Sequence, residues 1–488
     1  MGDTMYNRSG KYASGLILFA LLMAECSAGY EYTMVFSAIP TFIKLFGDPI
    51  KVGWLVTAFL LVSASVTAIV ARLGDIYGRR RVLLILLVIA LLGSLSSALS
   101  ESLNWIIAGR AVQGIAAAAL PLCIGLVREN FAPDKVPLMV GFILAAASVS
   151  AGAGLVIGGY IVDNYAWQAL FYSSVGLAAA GFVLVWLFIP PSKPAGLTGP
   201  IDFTGGVLFI LPVAGVMYAL ANVKAWGLLD ERTLGLIAIS ALLLFTWVMY
   251  ELRHKEPLLD IRLLANRQVA LANVSIVLAG LGSLQIYLVF SMFLQQPSWS
   301  GVGLGLTATV AGVMMLPSQL ASVVSSPFSG WIASRFTARD AALIGVLTMM
   351  IAWGGLFLHH SGLWYISGAI LIAAIGLQIV YTALPNLIVE AVPENRTSEA
   401  TGMLQVLRAA STGVGGLVVI LLMNSYIVSS PETGLNVSYP SSASYRLVFG
   451  FVFCCCFLML LAVLALPRRH KHYEVRRSSP AVDAAYKR

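Results

Sequence analysis

Four ionisable side chains interrupt otherwise apolar stretches of this sequence: Glu25, Glu31, Arg110 and Arg408. Apolar surroundings disfavour the charged form of a carboxyl group, so a glutamate placed there can load and release a proton near neutral pH. Glu25 and Glu31 are six residues apart, which on a helix separates them by about 120° and need not put them on one face. Each also reads as a glutamate held by hydrogen bonds in a polar network between helices. An arginine at the centre of a membrane span costs about 2.5–3.5 kcal/mol, so Arg110 needs an internal partner or a wet cavity, unless it snorkels to the interface. Arg408, toward the end of its span, faces the same choice. Tyr30, Met34, Gln113, Gln285, Tyr287, Gln378 and Tyr381 have the aromatic, thioether and amide chemistry to line a cavity for hydrophobic molecules. Scattered as they are, they serve equally well as bonding and packing groups between helices. No metal-ligand cluster, nucleophile–base arrangement or phosphate-binding glycine loop in a strand–helix context occurs. Nothing points to an enzyme, and no metal or organic cofactor is expected.

Only membrane-spanning elements could hold these groups. The chain has 488 residues, 59% hydrophobic and 11% charged, with mean hydropathy +0.88. A soluble domain carries about 25% charged residues; here there are too few to coat a particle of this size, so the apolar surplus must face lipid. A bilayer core takes roughly 20 apolar residues per helix. Six spans begin near Ser14, Val52, Val82, Asn104, Leu138 and Ala166 and finish near Ile189. The first, about 14–40, is too long for a signal-peptide core and contains both glutamates. Pro190-Pro191-Ser192-Lys193-Pro194 then breaks the pattern, as helix-breaking prolines do. Two spans follow at about 203–222 and 233–250, then a charged segment at 251–267. Six more start near Gln268, Leu304, Asp340, Leu363, Ala400 and Tyr445.

The sequence thus predicts an all-α polytopic membrane protein of about fourteen helices. Its expected divisions are 1–190, a six-helix bundle; 191–267, a linker and an inserted pair; 268–467, a second six-helix bundle; and 468–488, a basic tail. The net charge of +8 sits in short clusters between apolar runs, which suits anionic lipid and cytoplasm and argues against a nucleic-acid partner. With both termini inside, about 23 positive residues fall in cytoplasmic segments and about five outside, as the positive-inside rule requires. The five cysteines, Cys26, Cys123, Cys454, Cys455 and Cys456, lie in apolar segments without metal-ligand spacing and read as small buried residues. His359 and His360 fall at an outer loop as an interfacial pair.

Several motifs resemble those of the major facilitator superfamily, and within it the fourteen-helix drug:proton antiporter group. Leu73-Gly74-Asp75-Ile76-Tyr77-Gly78-Arg79-Arg80-Arg81 is similar to the superfamily's loop motif after the second helix. Its glycines permit a tight turn, and its charges can clasp one conformation shut, with Glu129 as a partner for the arginines. A weaker echo, Gly330-Trp331-Ile332-Ala333-Ser334-Arg335, stands at the corresponding place in the second half. Arg110-Ala111-Val112-Gln113-Gly114 resembles the Arg-x-x-Gln-Gly motif of the fourth helix. Gly154, Gly158 and Gly159 resemble the antiporter motif of the fifth, with Leu155 standing where the pattern has proline and Ser150 where it has its first glycine. Tyr30-Glu31-Tyr32-Thr33-Met34 with Ala38-Ile39-Pro40 resembles the group's first-helix pattern, with glutamate in place of aspartate. Gln405, Arg408 and Gly413-Val414-Gly415-Gly416 resemble its thirteenth helix.

The resemblance implies a monomeric secondary transporter in the plasma (inner) membrane that uses the proton gradient as its energy source. It would export hydrophobic or cationic small molecules by alternating access of two halves around a midplane cavity. Glu31, Glu25 and Arg110 would handle the proton. A dedicated carrier of metabolites or of lipid-like molecules on the same fold is the alternative.

Overall fold

A computed structural model describes residues 11–132, 135–192, 203–254, 261–392, 397–429 and 438–467. The basic tail at 468–488, parts of the linker at 193–202 and 255–260, and the side chain of Asp75 lie outside the described residues.

The first half comprises α1 (Lys11–Phe46), α2 (Pro49–Tyr77), α3 (Arg79–Ala98), α4 (Leu103–Ala116), α5 (Ala119–Asn130), α6 (Val136–Asn164) and α7 (Gln168–Phe188). An inserted pair follows, α8 (Phe203–Trp226) and α9 (Glu231–Arg253). The second half holds α10 (Arg267–Leu281), α11 (Ile286–Gln295), α12 (Ala308–Arg335), α13 (Ala338–Leu358), α14 (Leu363–Val389), α15 (Thr397–Met423) and α16 (Ser442–Leu464). Two spans are broken helices. α4 and α5 make one pass, Leu103–Asn130, interrupted where Pro121 cannot donate a backbone hydrogen bond to the preceding turn. α10 and α11 make another, Arg267–Gln295, joined through Gly282 and a 3₁₀ turn at Ser283–Gln285. Among the described residues thirteen helical stretches are long and apolar enough to cross a membrane. α2, with 29 residues and an apolar stretch at Pro49–Ser63, supplies the fourteenth pass. The chain is a multi-pass membrane protein.

Local chemistry sets the helix ends. Asp48 accepts from Lys51 N at 2.9 Å and caps α2, Thr307 caps α12, and Ser441 caps α16, each supplying an acceptor for a backbone donor the helix leaves unused. Large apolar side chains on the outside, among them Leu242, Phe245, Val324 and Ile351, stay exposed; only lipid offers them a favourable surround. A two-stranded antiparallel ribbon, β1 (Ile427–Ser429) with β2 (Ser438–Pro440), sits before α16, a feature the apolar periodicity does not signal.

α1 packs on α6 and α7, α3 on α4 and α7, and α2 on α4; in the second half α13 packs on α14 and α16, and α10 on α15 and α16. The halves meet along two pairs, α6 with α12 and α2 with α15, and α1 also touches α11. The inserted α8 rests on both α2 and α15 through Met217, Leu61 and Leu417, so it covers one seam. The bundle has two ends: a near end, where α1 begins, and a far end, where α1 and α6 finish and α12 begins. At the far end the core is continuous across the halves, with Phe36, Ile39 and Phe59 in one cluster with Phe290, Phe293 and Phe449. At the near end the first half keeps a separate core around Leu21, Leu83, Leu126 and Val185. This packing closes the far end.

Candidate functional site

α1 carries acidic groups on faces turned into the first half. Glu31 is 1% exposed. Its Oε1 accepts from Ser174 Oγ of α7 at 2.7 Å and from Ser94 Oγ of α3 at 3.2 Å, while Oε2 has no partner among the described residues. Arg110, on α4, is wholly buried. It donates from Nε to the Leu55 carbonyl at 3.0 Å, and from Nη1 to the Glu31 backbone carbonyl at 3.0 Å and to Gln113 Oε1 at 2.7 Å. The guanidinium lies over the Phe59 ring, 4.3 Å from its centroid, a favourable cation–π placement. Gln113 Nε2 donates to Ser94 Oγ at 2.5 Å, which closes a network of Arg110, Gln113, Ser94, Ser174 and Glu31. Among the described residues Arg110 Nη2, like Glu31 Oε2, is buried without a hydrogen-bond partner, which leaves one donor and one acceptor unused. Glu25, also buried, has an unpartnered Oε2 and lies within electrostatic reach of Cys123 on α5, apart from the Glu31 network.

The neighbouring residue faces elsewhere. Tyr32 is half-buried and stacks beside Phe59, with Phe36 and Tyr287 of α11 edge-on to it at 5.6 and 6.4 Å between ring centroids. Tyr381 of α14 donates to Gln405 Oε1 at 3.3 Å, and the Arg408 guanidinium of α15 lies 4.8 Å from the centroid of the Tyr381 ring. Tyr287, Tyr381 and Arg408 are partly exposed although they lie inside their spans, and Tyr287 meets Tyr32 of the other half, so they border an accessible space between the halves. Gln378, also half-buried, is tied by its Nε2 to Ser326 Oγ of α12 at 2.7 Å.

The remaining expected lining residues are not part of that space. Tyr30 bonds Ser173 Oγ on α7 at 2.5 Å. Met34 packs under α6, Gln113 belongs to the Arg110 network, and Gln285 Nε2 donates to the carbonyls of Gly280 and Thr412 at 2.8 Å each, fastening α15 to the break in its neighbouring span. All four are buried in helix contacts, because a helix that touches partners on several sides presents only a narrow stripe to any one of them.

The fifth-span glycines serve two neighbours. A Cβ on Gly154 would lie 2.2 Å from Thr33 Oγ1, and one on Gly158 2.8 Å from the Met34 carbonyl, so α1 is drawn against α6. A Cβ on Gly159 would stand 2.3 Å from the Ala308 carbonyl, across the seam on α12. Just beyond, Asp163 accepts from Ala308 N at 3.0 Å, Thr309 N at 2.7 Å and Thr309 Oγ1 at 2.5 Å. Ser291 Oγ donates to the Phe36 carbonyl, and Gln295 Nε2 to the Ser37 carbonyl at 3.2 Å. These bonds join the halves at the far end.

In the loop motif Gly78 adopts φ +95°, which favours glycine, and links α2 to α3. Gly74 leaves room for Leu122. Arg79 pairs with Glu129 at 2.8 Å, and Arg80 donates to the Trp186 carbonyl at 2.6 Å. The motif thereby ties α3 to α5 and to the end of α7.

Tyr32, Phe36, Ser94, Ser174, Asp163 and Gln319 of α12, whose side chain lies beside the Tyr287 hydroxyl, are functional candidates that sequence reasoning passed over. The i, i+4 aromatic pair Tyr32 and Phe36 was a usable signal; Asp163 acts on a helix start 145 positions away, and nothing local marks it.

A family model described as Major Facilitator Superfamily matches residues 21–416. The multidrug resistance protein Stp of Mycobacterium tuberculosis (strain CDC 1551 / Oshkosh) is 28% identical over 396 residues, covering 79% of this chain and 71% of that one. The tetracenomycin C resistance and export protein of Streptomyces glaucescens is 26% identical, covering 84% and 76%. Among solved structures, a peptide transporter of the POT family in complex with sulfate superposes with TM-score 0.66 at 13% identity, covering 92% and 94%. A point mutant of the nucleoside transporter NupG gives 0.65 at 11%, covering 93% and 99%. These two structures speak for the fold alone.

Proposed function

The chain belongs to the Major Facilitator Superfamily, and from that premise we propose that it is a multidrug-type efflux transporter driven by the proton gradient. The names of its relatives support drug export. The observation that carries proton coupling is the division of labour on α1. Glu31 is sealed into the first bundle with an unused oxygen, within electrostatic reach of an Arg110 that has its own unused Nη2 and holds the Glu31 backbone, while Tyr32 borders the space between the halves.

With Glu31 protonated, the serine hydroxyls satisfy its carbonyl oxygen and Arg110 holds the α1 backbone. Loss of the proton creates a buried carboxylate, and a buried charge requires pairing; Arg110 Nη2 is the available donor. That change of partner repositions α1. The same helix bears Tyr32, and its Phe36 and Ser37 carbonyls receive the far-end bonds from α11. Proton state, substrate lining and far-end closure therefore act through one element, and substrate need not touch the proton site.

The charge distribution supports a near end, with both termini, on the cytoplasmic side of the inner membrane; the working unit is a monomer. The test is transport in everted vesicles or proteoliposomes. Uphill movement of dye that stops when a protonophore collapses the gradient is the expected result, and uphill movement that survives it removes proton coupling.

A further inference from the structure

The transport reading leaves the chemical character of the cargo open, and the lining between the halves has a definite one. We propose that Arg408, with Tyr381, Tyr32, Tyr287 and Gln319, forms a subsite for planar aromatic molecules bearing an acidic oxygen, such as an aromatic carboxylate or a phenolate. The proposal rests on the efflux reading and adds an anionic aromatic class to the hydrophobic or cationic cargo expected from sequence.

Three observations carry it. First, the Arg408 guanidinium has neither a hydrogen bond nor an ion pair among the described residues; its Nε is buried and unpartnered, and only the Tyr381 face lies against it. A cation at this depth is costly unless something neutralises it, and a bound anion does so through the two-pronged geometry guanidinium offers to carboxylates. Second, a further donor borders this lining: Gln319, on α12, is 6% exposed, and its Nε2 makes no well-formed hydrogen bond among the described residues, only a loose contact with the Tyr287 hydroxyl. A lining with spare donors calls for a guest that brings acceptors. Third, Tyr32 and Tyr287 meet edge to face and both lie within electrostatic reach of Tyr381, with Arg408 reaching Tyr32 as well. Aromatic walls favour a flat ring system. The nearest acid on α1, Glu31, is turned into the first bundle and bonded to α3 and α7, so it does not offset Arg408 for an incoming guest.

The test is equilibrium binding to the purified full-length protein in phosphatidylcholine nanodiscs without any gradient, which excludes anionic lipid and makes the result independent of coupling. Fluorescein and a cationic rhodamine serve as probes, since they share a xanthene ring and differ in charge. The wild type is expected to bind fluorescein at least about tenfold more tightly, the ratio that one charge-assisted hydrogen bond supplies. Arg408→Gln should abolish that preference by weakening fluorescein alone, and Arg408→Lys should retain part of it. Gln319→Ala should lower fluorescein affinity without changing that of rhodamine, an independent check should the arginine variants fold poorly. A wild type that binds rhodamine better, or binds neither probe, overturns the proposal. So does Arg408→Gln weakening both probes alike, which would make the arginine structural. Anion preference without gradient-driven flux would instead strike the coupling and leave the subsite standing.

Discussion

If Glu31 carries the coupled proton, as proposed, replacing it by glutamine separates binding from energy input. The amide oxygen of Glu31→Gln keeps the acceptor that Ser174 and Ser94 use. The new NH₂ falls where Oε2 has no partner, and an unmatched buried donor costs about 1–3 kcal/mol. That is less than the roughly 5–15 kcal/mol by which a folded domain is usually stable, so the variant folds. The transport deficit is of another order. One proton moving down one pH unit yields about 1.4 kcal/mol, and 100 mV about 2.3 kcal/mol per charge. At about 1.4 kcal/mol per decade, the total of about 3.7 kcal/mol sustains roughly a 500-fold concentration ratio for an uncharged substrate. Without a titrating group the ratio falls to unity. In proteoliposomes with an imposed pH gradient and potential, Glu31→Gln should lose uphill accumulation while still exchanging labelled for unlabelled substrate at equilibrium. Wild-type accumulation by this variant would refute the assignment of Glu31.

Other expectations concern the far end. Gly159→Leu places a side chain against the Ala308 carbonyl, and because backbone cannot swing away, about 1–3 kcal/mol of overpacking should splay α6 from α12. Spin labels on the two helices would report the separation as a longer distance distribution. Asp163→Ala removes three bonds to the start of α12; a lost cap is worth about 0.5–2 kcal/mol, which moves an opening equilibrium several-fold toward the open far end in the same measurement. His360 is held below the ordinary histidine value by burial, with Arg446 and His359 acting the same way against an opposing bond to the Leu356 carbonyl. The unfolded chain therefore binds the proton more readily, and stability should decline as pH falls below about 6.5. Thermal melts between pH 8 and 5 would show this, and His360→Gln should flatten the decline.

The spans were legible because lipid imposes one requirement on every helix, a long apolar run, and composition meets it openly. The two breaks were not: α4–α5 and α10–α11 each read as a continuous apolar stretch, since Pro121 and Gly282 are tolerated in membrane helices when neighbours satisfy the backbone. Buried charge marked Glu31 and Arg110 as candidates, since a charge inside a span is expensive unless used or paired. Facing could not be read so well. Tyr30 and Tyr32 are alike in type and close in sequence, yet one bonds α7 and the other meets α11. Helical hydrophobicity does not distinguish those directions in a chain apolar on all sides. The Asp163 cap depends on a contact that exists only after both halves have assembled.

Glu31 and Tyr32 are consecutive, and a helix turns consecutive side chains about 100° apart. On the proposed mechanism, power and recognition occupy separate walls of one rod, divided by a single peptide bond. Substitutions around Tyr32 would then retune which molecules are accepted while the engine behind α1 runs unaltered. Damage on the Glu31 wall would strike every cargo alike. Such an arrangement lets a lineage change its repertoire of tolerated compounds in small steps, without reinventing the machinery that expels them.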